Sequence, residues 1–147
     1  MDEPMQPPAR QPLGFWTVRA GQAIAARTRG ALGDMGVQQP EWWVLHQLSS
    51  APEGADSSYL VDKLGHNDTP EAIEGALASV VEKGWATRSG DTLSITDDGA
   101  KVFAKAADLQ SELQRERMQG ITEEEFVTTI TVLQRTIANV GGHAWHW

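Results

Sequence analysis

The sequence predicts a mainly α-helical protein with one small β-hairpin, and three observations support this. Apolar residues recur at helical spacing in six separate segments, each followed by a glycine or a polar turn. One further segment, residues 86–96, alternates apolar and polar residues around Ser89-Gly90-Asp91, which is typical of a hairpin. The chain has 147 residues, enough for one domain with a hydrophobic core.

The first two helices lie in the N-terminal third of the chain. Residues 1–12 are rich in proline and are predicted to be a disordered arm. The first helix runs from Leu13 to about Gly33, and the second opens at Pro40, because a first-turn proline needs no amide donor. The apolar residues that define the two helices are Leu13, Trp16, Ala20, Ala23 and Ile24, then Trp42, Trp43, Leu45 and Leu48.

Two short helices follow a loop at residues 49–58. The third helix is capped by Asp56 or Ser57, and the fourth by Asp68 or Thr69, with Pro70 just inside it and Gly84 ending it. The residues predicted to face the core are Tyr59, Leu60 and Leu64 on the third helix, and Ile73, Leu77 and either Val80 or Val81 on the fourth.

Two longer helices follow the hairpin. The fifth starts at Thr96 or Asp97, and the sixth opens with the capping-box pair Thr122 and Glu125. Their apolar stripes are Val102, Ala106, Leu109 and Leu113, then Phe126, Ile130, Leu133, Ile137 and Val140. Residues 37–96 are therefore predicted to be a winged helix-turn-helix head. Residues 13–36 and 97–147 are predicted to be helices that form a homodimer, with packing inside one chain as the alternative.

Composition excludes several classes of protein. The formal net charge is −8, so any nucleic-acid contact must come from a local patch. The absence of cysteine excludes disulfides, thiolate zinc sites and thiol nucleophiles, and is compatible with a cytoplasmic location. No apolar run approaches the roughly 18 residues of a membrane span. No catalytic constellation or cofactor motif is recognisable, so no enzyme, cofactor or membrane partner is predicted.

Three stretches make the chain resemble the MarR family of bacterial transcriptional regulators: LVDKLG at 60–65, Leu77 through Trp85, and LSITDDG at 93–99. The resemblance implies a homodimer that inserts the fourth helix of each subunit into successive major grooves of a near-palindromic duplex. Half-sites then lie about 34 Å apart. It also implies release by a small, often phenolic or anionic ligand bound between the dimerisation helices and the head.

The DNA-contacting set follows from this layout. It comprises Ser57, Ser58, Lys63, Thr69, Glu71, Ala72, Glu74, Gly75, Ser79, Lys83, Arg88 and Ser89. The fourth helix departs from the family in carrying acids where members often have hydroxyl residues and an arginine. Residues 51–85 hold seven acids and two lysines, a net charge of −5. Glu71 or Glu74 can accept a hydrogen bond from a cytosine amino group, although acids at a helix start also have a purely structural explanation.

Aromatic and histidine residues suggest a second site. Trp16, Trp43 and His46 are predicted to line a ligand pocket where the first two helices meet, and core or dimer packing of the tryptophans is the alternative. His143 and His146 lack a nearby acid, so no metal site is predicted at the C-terminal end.

The sequence thus predicts a homodimeric, ligand-responsive transcriptional regulator that binds duplex DNA. The alternative is a winged-helix protein that has lost DNA binding and serves as a protein-interaction or ligand-sensing module.

Overall fold

In a computed structural model, residues 3–143 are described, and their elements follow the predicted order. The bounds are α1 Leu13–Asp34, α2 Gln39–Ser49, β1 Ala55–Asp56, α3 Ser57–Leu64, α4 Pro70–Glu82, β2 Ala86–Ser89, β3 Thr92–Ile95, α5 Asp97–Arg117 and α6 Glu123–Asn139. The fold class predicted from the sequence is confirmed. Of the two histidines near the C-terminal end, His143 lies within the described residues and His146 lies outside them.

Two features were not predicted. Residues 8–10 form a 3-10 turn inside the segment expected to be a disordered arm, helped by the fixed φ of proline and by a bond from Gln11 Nε2 to the Gln6 carbonyl at 2.6 Å. The loop at 49–58 contains the two-residue strand β1. This strand pairs antiparallel with β3, whose other neighbour is β2, so the sheet has the order β1-β3-β2.

The hydrophobic core of the head gathers residues from α2, α3, α4 and the sheet. Its fully enclosed side chains include Val44, Leu45, Leu48, Leu60, Ile73, Val80 and Leu93. The prediction that Tyr59 faces this core is wrong, because its side chain is 51% exposed. Tyr59 instead shares the outer side of α3 with Lys63, one turn further along, whose Nζ lies 3.4 Å from the Tyr59 hydroxyl, while Leu60 and Leu64 face the core.

The chain divides into two compact units, residues 1–110 and residues 111–147, with the boundary inside α5. In the first unit, α1 exposes a set of large apolar side chains: Leu13, Phe15, Trp16, Val18 and Ile24. In the second unit, α6 does the same with Phe126, Val127, Ile130, Val132 and Ile137, and Val140 just after it is also exposed. Both helices therefore leave apolar surface in water in the single chain.

Candidate nucleic-acid interface

The N-terminus of α3 is fixed by one carboxylate. Asp56 accepts hydrogen bonds from the backbone amides of Ser58 at 2.9 Å and Tyr59 at 3.3 Å, so it is the cap that the sequence left open between two residues. The bond from the Ser58 hydroxyl, with those two amide bonds, lowers the pKa of Asp56 below its usual range. The cap thereby presents Ser57 and Ser58 at the start of the helix.

The N-terminus of α4 is fixed by a hydroxyl. Thr69 Oγ1 accepts from the Ala72 amide at 3.1 Å, and Pro70 opens the first turn. Ile73, Ala76, Leu77 and Val80 face the core, which orients the opposite side of the helix outward. The exposed face of α4 carries Glu71, Glu74, Gly75, Ala78 and Glu82. This face is acidic and otherwise made of very small residues.

The wing brings a basic side chain to the same region. Arg88 lies on β2, where its Nε donates to the Gly90 carbonyl at 3.0 Å and a terminal nitrogen approaches Ser57 Oγ at 3.4 Å. Asp91 is 3.9 Å from that guanidinium. Since these partners sit in the hairpin turn and at the start of α3, they hold Arg88 beside the head's helices.

These elements enclose a groove of about 410 Å³. Four of its seven lining residues were predicted to contact DNA: Ser57, Ser58, Glu74 and Arg88. The other three, Val61, Asp62 and Leu77, were not named in that prediction. Val61 and Asp62 lie one turn beyond Ser57 and Ser58 on α3, and this helical spacing is the signal that could have identified them.

Two further predicted residues serve the head's own structure. Ser79 Oγ donates to Glu41 Oε2 at 2.6 Å, and Lys83 Nζ lies 2.9 Å from both oxygens of that carboxylate. Glu41 is completely buried. Ser79 and Lys83 therefore point to a buried partner, which sequence reasoning missed because the partners are separated by 38 and 42 residues.

Solved structures resemble this chain, whereas no protein-family model and no curated protein sequence matches it. A MarR family transcriptional regulator from Silicibacter pomeroyi superposes with a TM-score of 0.74 at 16% identity, covering 87% of this chain and 92% of that one. The fold is that of the MarR family. This confirms the fold that the resemblance implied.

Two other structures with the MarR fold carry bound molecules. A Mycobacterium tuberculosis MarR family protein in complex with DNA has a TM-score of 0.66 and 22% identity, covering 90% of this chain and 99% of that one. CouR from Rhodococcus jostii, bound to p-coumaroyl-CoA, has a TM-score of 0.71 and 20% identity, covering 84% and 90%.

The LSITDDG stretch has a physical explanation in this MarR fold. Thr96 Oγ1 donates to the Gly84 carbonyl at 2.7 Å and accepts from the Gly99 amide at 3.0 Å, which joins the end of α4 to the start of α5. A Cβ on Gly99 would overlap the carbonyl oxygen of Trp85. Only glycine fits this crossing without a shift of the backbone.

The structure does not bring the three predicted ligand residues into one site. Trp16 is 41% exposed and its Nε1 donates to Gln11 Oε1 at 3.1 Å, whereas Trp43 packs on the head core. His46 instead lies beside Trp42, with ring centroids 5.6 Å apart. Trp42 stacks on Phe103 of α5 at 5.4 Å, so the sequence prediction named one member of this aromatic cluster and missed two.

The described part of the chain has neither a membrane span nor a metal site. No helix within residues 3–143 is long and apolar enough to cross a bilayer. The same residues contain no group of three or more histidine or carboxylate side chains placed to hold a metal ion.

Proposed function

We propose that this protein is a transcription regulator. It binds duplex DNA through the face of its head that carries the groove between α3, α4 and the wing. The observation that carries this proposal is the meeting of Ser57, Ser58, Glu74 and Arg88 in one groove between α3, α4 and the wing. A MarR-fold protein of known structure is in complex with DNA, which supports the same use of the fold here.

Phosphate contacts come from two kinds of donor on this face, hydroxyls and cations. The hydroxyls of Ser57, Ser58 and Thr69 lie at the starts of α3 and α4. Arg88 supplies a cation from the wing. Lys63 supplies one from α3, where its Nζ lies 3.4 Å from the Tyr59 hydroxyl. Ser79 and Lys83 are left out of the proposed interface because Glu41 engages them.

Base contacts come from the exposed face of α4. Gly75 has no atom within 4 Å of where its Cβ would lie, and Ala78 is also small. The backbone of α4 can therefore approach the floor of the DNA major groove closely. Glu71 and Glu74 can accept from the amino group of cytosine. The same carboxylates repel phosphates, so non-specific binding is weak and discrimination depends on the correct bases.

Dimerisation and ligand control complete the proposal. The exposed apolar residues of α1 and α6 suit burial against a second copy, which would place two heads on successive grooves of a near-palindromic operator. The proposed ligand is a small phenolic or anionic molecule that contacts the aromatic cluster Trp42, His46 and Phe103. CouR bound to p-coumaroyl-CoA supports a ligand of this class. Such a regulator acts in the cytoplasm.

The acidic face of α4 favours one other function. Glu71, Glu74 and Glu82 share that face, and α4 itself carries no basic residue; Lys83, which follows it, is bound to Glu41. A head of this charge suits a basic protein partner better than a polyanion. The second candidate is therefore a winged-helix protein-interaction or ligand-sensing module that has lost DNA binding.

Capture of genomic fragments decides between the two functions. Immobilised protein is mixed with sheared genomic DNA at about 50 and about 150 mM salt, and retained fragments are sequenced. DNA binding predicts a near-palindrome with half-sites about one helical turn apart, and a slope of log affinity against log salt shallower than about −5.

Two charge reversals control this experiment. Arg88→Glu places an acid in the groove and should abolish enrichment, whereas Arg115→Glu makes the same change on exposed α5 and should leave it intact. If the unmodified protein retains no fragment above the Arg88→Glu background, DNA binding is excluded and the protein-interaction function stands.

A further inference from the structure

The completely buried carboxylate of Glu41 joins two distant parts of the head. Glu41 sits in the first turn of α2, and its Oε1 accepts from the Gln38 amide at 2.8 Å. Its Oε2 accepts from Ser79 Oγ at 2.6 Å, and Lys83 Nζ lies 2.9 Å from each oxygen. One carboxylate therefore has partners at the α1–α2 junction and in the last turns of α4.

Lys83 extends the connection on both sides. Its Nζ also donates to the Gly36 carbonyl at 3.2 Å, just before α2 begins. The same ammonium lies 4.7 Å from the centre of the Trp85 ring, in the segment that leads into the wing. The C-terminal end of α4 is thus attached directly to Gly36 and Glu41, and through Glu41 to Gln38, by directional bonds rather than by apolar packing alone.

A capping role does not explain this arrangement. Capping α2 requires only the bond from the Gln38 amide to Glu41, and an exposed glutamate would serve equally well. The Lys83 side chain keeps 35% of its surface exposed while the Glu41 side chain has none, and desolvation of such a buried carboxylate offsets much of its attraction to the ammonium. What such a pair does provide is geometry, since each bond is satisfied at only one orientation of α4.

Glu41 is also next to the aromatic cluster. Trp42 follows it in the chain and stacks on Phe103 with an interplanar angle of 8°. His46, one turn further along α2, lies 6.1 Å from the same Phe103 ring. The residue that stacks on Phe103 is therefore joined by one peptide bond to the residue that holds the end of α4.

We propose that Glu41 is a positioning residue that sets the orientation of α4 in the head and couples it to the aromatic cluster. Any effect of this orientation on DNA recognition rests on the proposed function. The positioning itself concerns the head alone and is measured without DNA.

Amide hydrogen exchange on the full chain tests the positioning. The variants are Glu41→Gln, Lys83→Met, the double variant that removes both charges, and Ser79→Ala as a mild change that keeps the ion pair. We expect the double variant to melt near the wild-type temperature, because no unpaired buried charge remains. The exchange rate of its amides at residues 79–83, divided by that of the α3 amides, should nevertheless be about ten-fold higher than in the wild type.

Selective loss of protection is the decisive signature. If protection in the double variant falls equally across α3, α4 and the sheet, Glu41 is only a stabilising residue and the proposal is wrong. If the double variant keeps the wild-type level of protection at residues 79–83, the proposal is also wrong. Ser79→Ala should give a smaller change in the same direction at the same amides, and this result remains measurable if a charge variant does not fold.

A mutant cycle tests the coupling to the aromatic cluster. Trp42→Leu should raise exchange at residues 79–83 in the wild-type background and have less than about half that effect in the Glu41→Gln, Lys83→Met background. Equal effects in the two backgrounds would overturn the coupling. Affinity for captured genomic DNA is measured in parallel, and the double variant should bind at least about five-fold more weakly. If the wild type binds no DNA, the proposed function fails while the exchange results still decide the positioning.

Discussion

Neutralising two glutamates on α4 should strengthen binding to DNA of random sequence. Glu71 and Glu74 lie almost one turn apart on the same exposed face of α4, so both would enter the DNA major groove together. A carboxylate about 7 Å from a phosphate is repelled by about 0.6 kcal/mol in water, and screening at physiological salt reduces this to about 0.25 kcal/mol.

The expected effect follows from the number of phosphates that each glutamate faces. With two or three phosphates near each carboxylate, the double change Glu71→Gln, Glu74→Gln removes about 1 to 1.5 kcal/mol of repulsion per head. This corresponds to about five-fold to twelve-fold tighter binding for each head that contacts the duplex. The effect should grow at lower salt because the Debye length increases.

Fluorescence anisotropy with a labelled duplex of random sequence measures this change. The control is Asp108→Asn, Glu112→Gln, which makes the same change in charge at exposed positions of α5. We expect this control to alter affinity by less than about two-fold, because only the net charge of the protein changes. Equal gains in the two double variants, or no gain with the α4 pair, would refute the placement of α4 against DNA.

Three other outcomes test individual parts of the structure. Gly99→Ala should lower the free energy of unfolding by about 2 kcal/mol, because the added methyl group overlaps the Trp85 carbonyl. Gly33→Ala should not lower it, because the space around Gly33 is open, and thermal denaturation compares the two variants. The pKa of Asp56 is lowered by its hydrogen bonds, so its capping stabilises the fold above pH 3.8 and is lost as pH falls through the lowered pKa. The melting deficit of Asp56→Ala should therefore be full at pH 7 and shrink below pH 3.8, and a deficit independent of pH would contradict the cap. Ile130→Glu on the exposed apolar side of α6 should shift the mass measured by light scattering toward the monomer, while Thr128→Glu should not, and an unchanged dimer in both would exclude this surface from the interface.

Local signals allowed most element boundaries to be predicted. Pro70 and Gly84 delimit α4, and the pair Thr122 and Glu125 opens α6 with reciprocal bonds of 2.9 and 3.1 Å. Each signal acts within a few residues, so the sequence contains it explicitly. The identity of the α3 cap stayed open because Asp56 and Ser57 are both good capping residues, and only the backbone geometry selects Asp56.

Features that depend on distant residues were not predictable. Strand β1 has only two residues and exists because Ala55 and Asp56 pair with Leu93 and Thr92 of β3. In the candidate site, the placement of Arg88 beside Ser57 depends on the fold of the wing. Sequence spacing shows which residues share a helix face, but it does not show which face meets another element.

Selection from a random duplex library shows whether the acidic α4 of this MarR fold reads DNA bases. The unmodified protein and the Glu71→Ala, Glu74→Ala variant are taken through the same rounds at low salt, and the enriched sequences are compared. We expect a motif with two half-sites in which the unmodified protein prefers cytosine at certain positions, the double variant loses that preference, and the rest of the motif persists. An identical motif for both proteins, or no enrichment by the unmodified protein, would contradict this expectation.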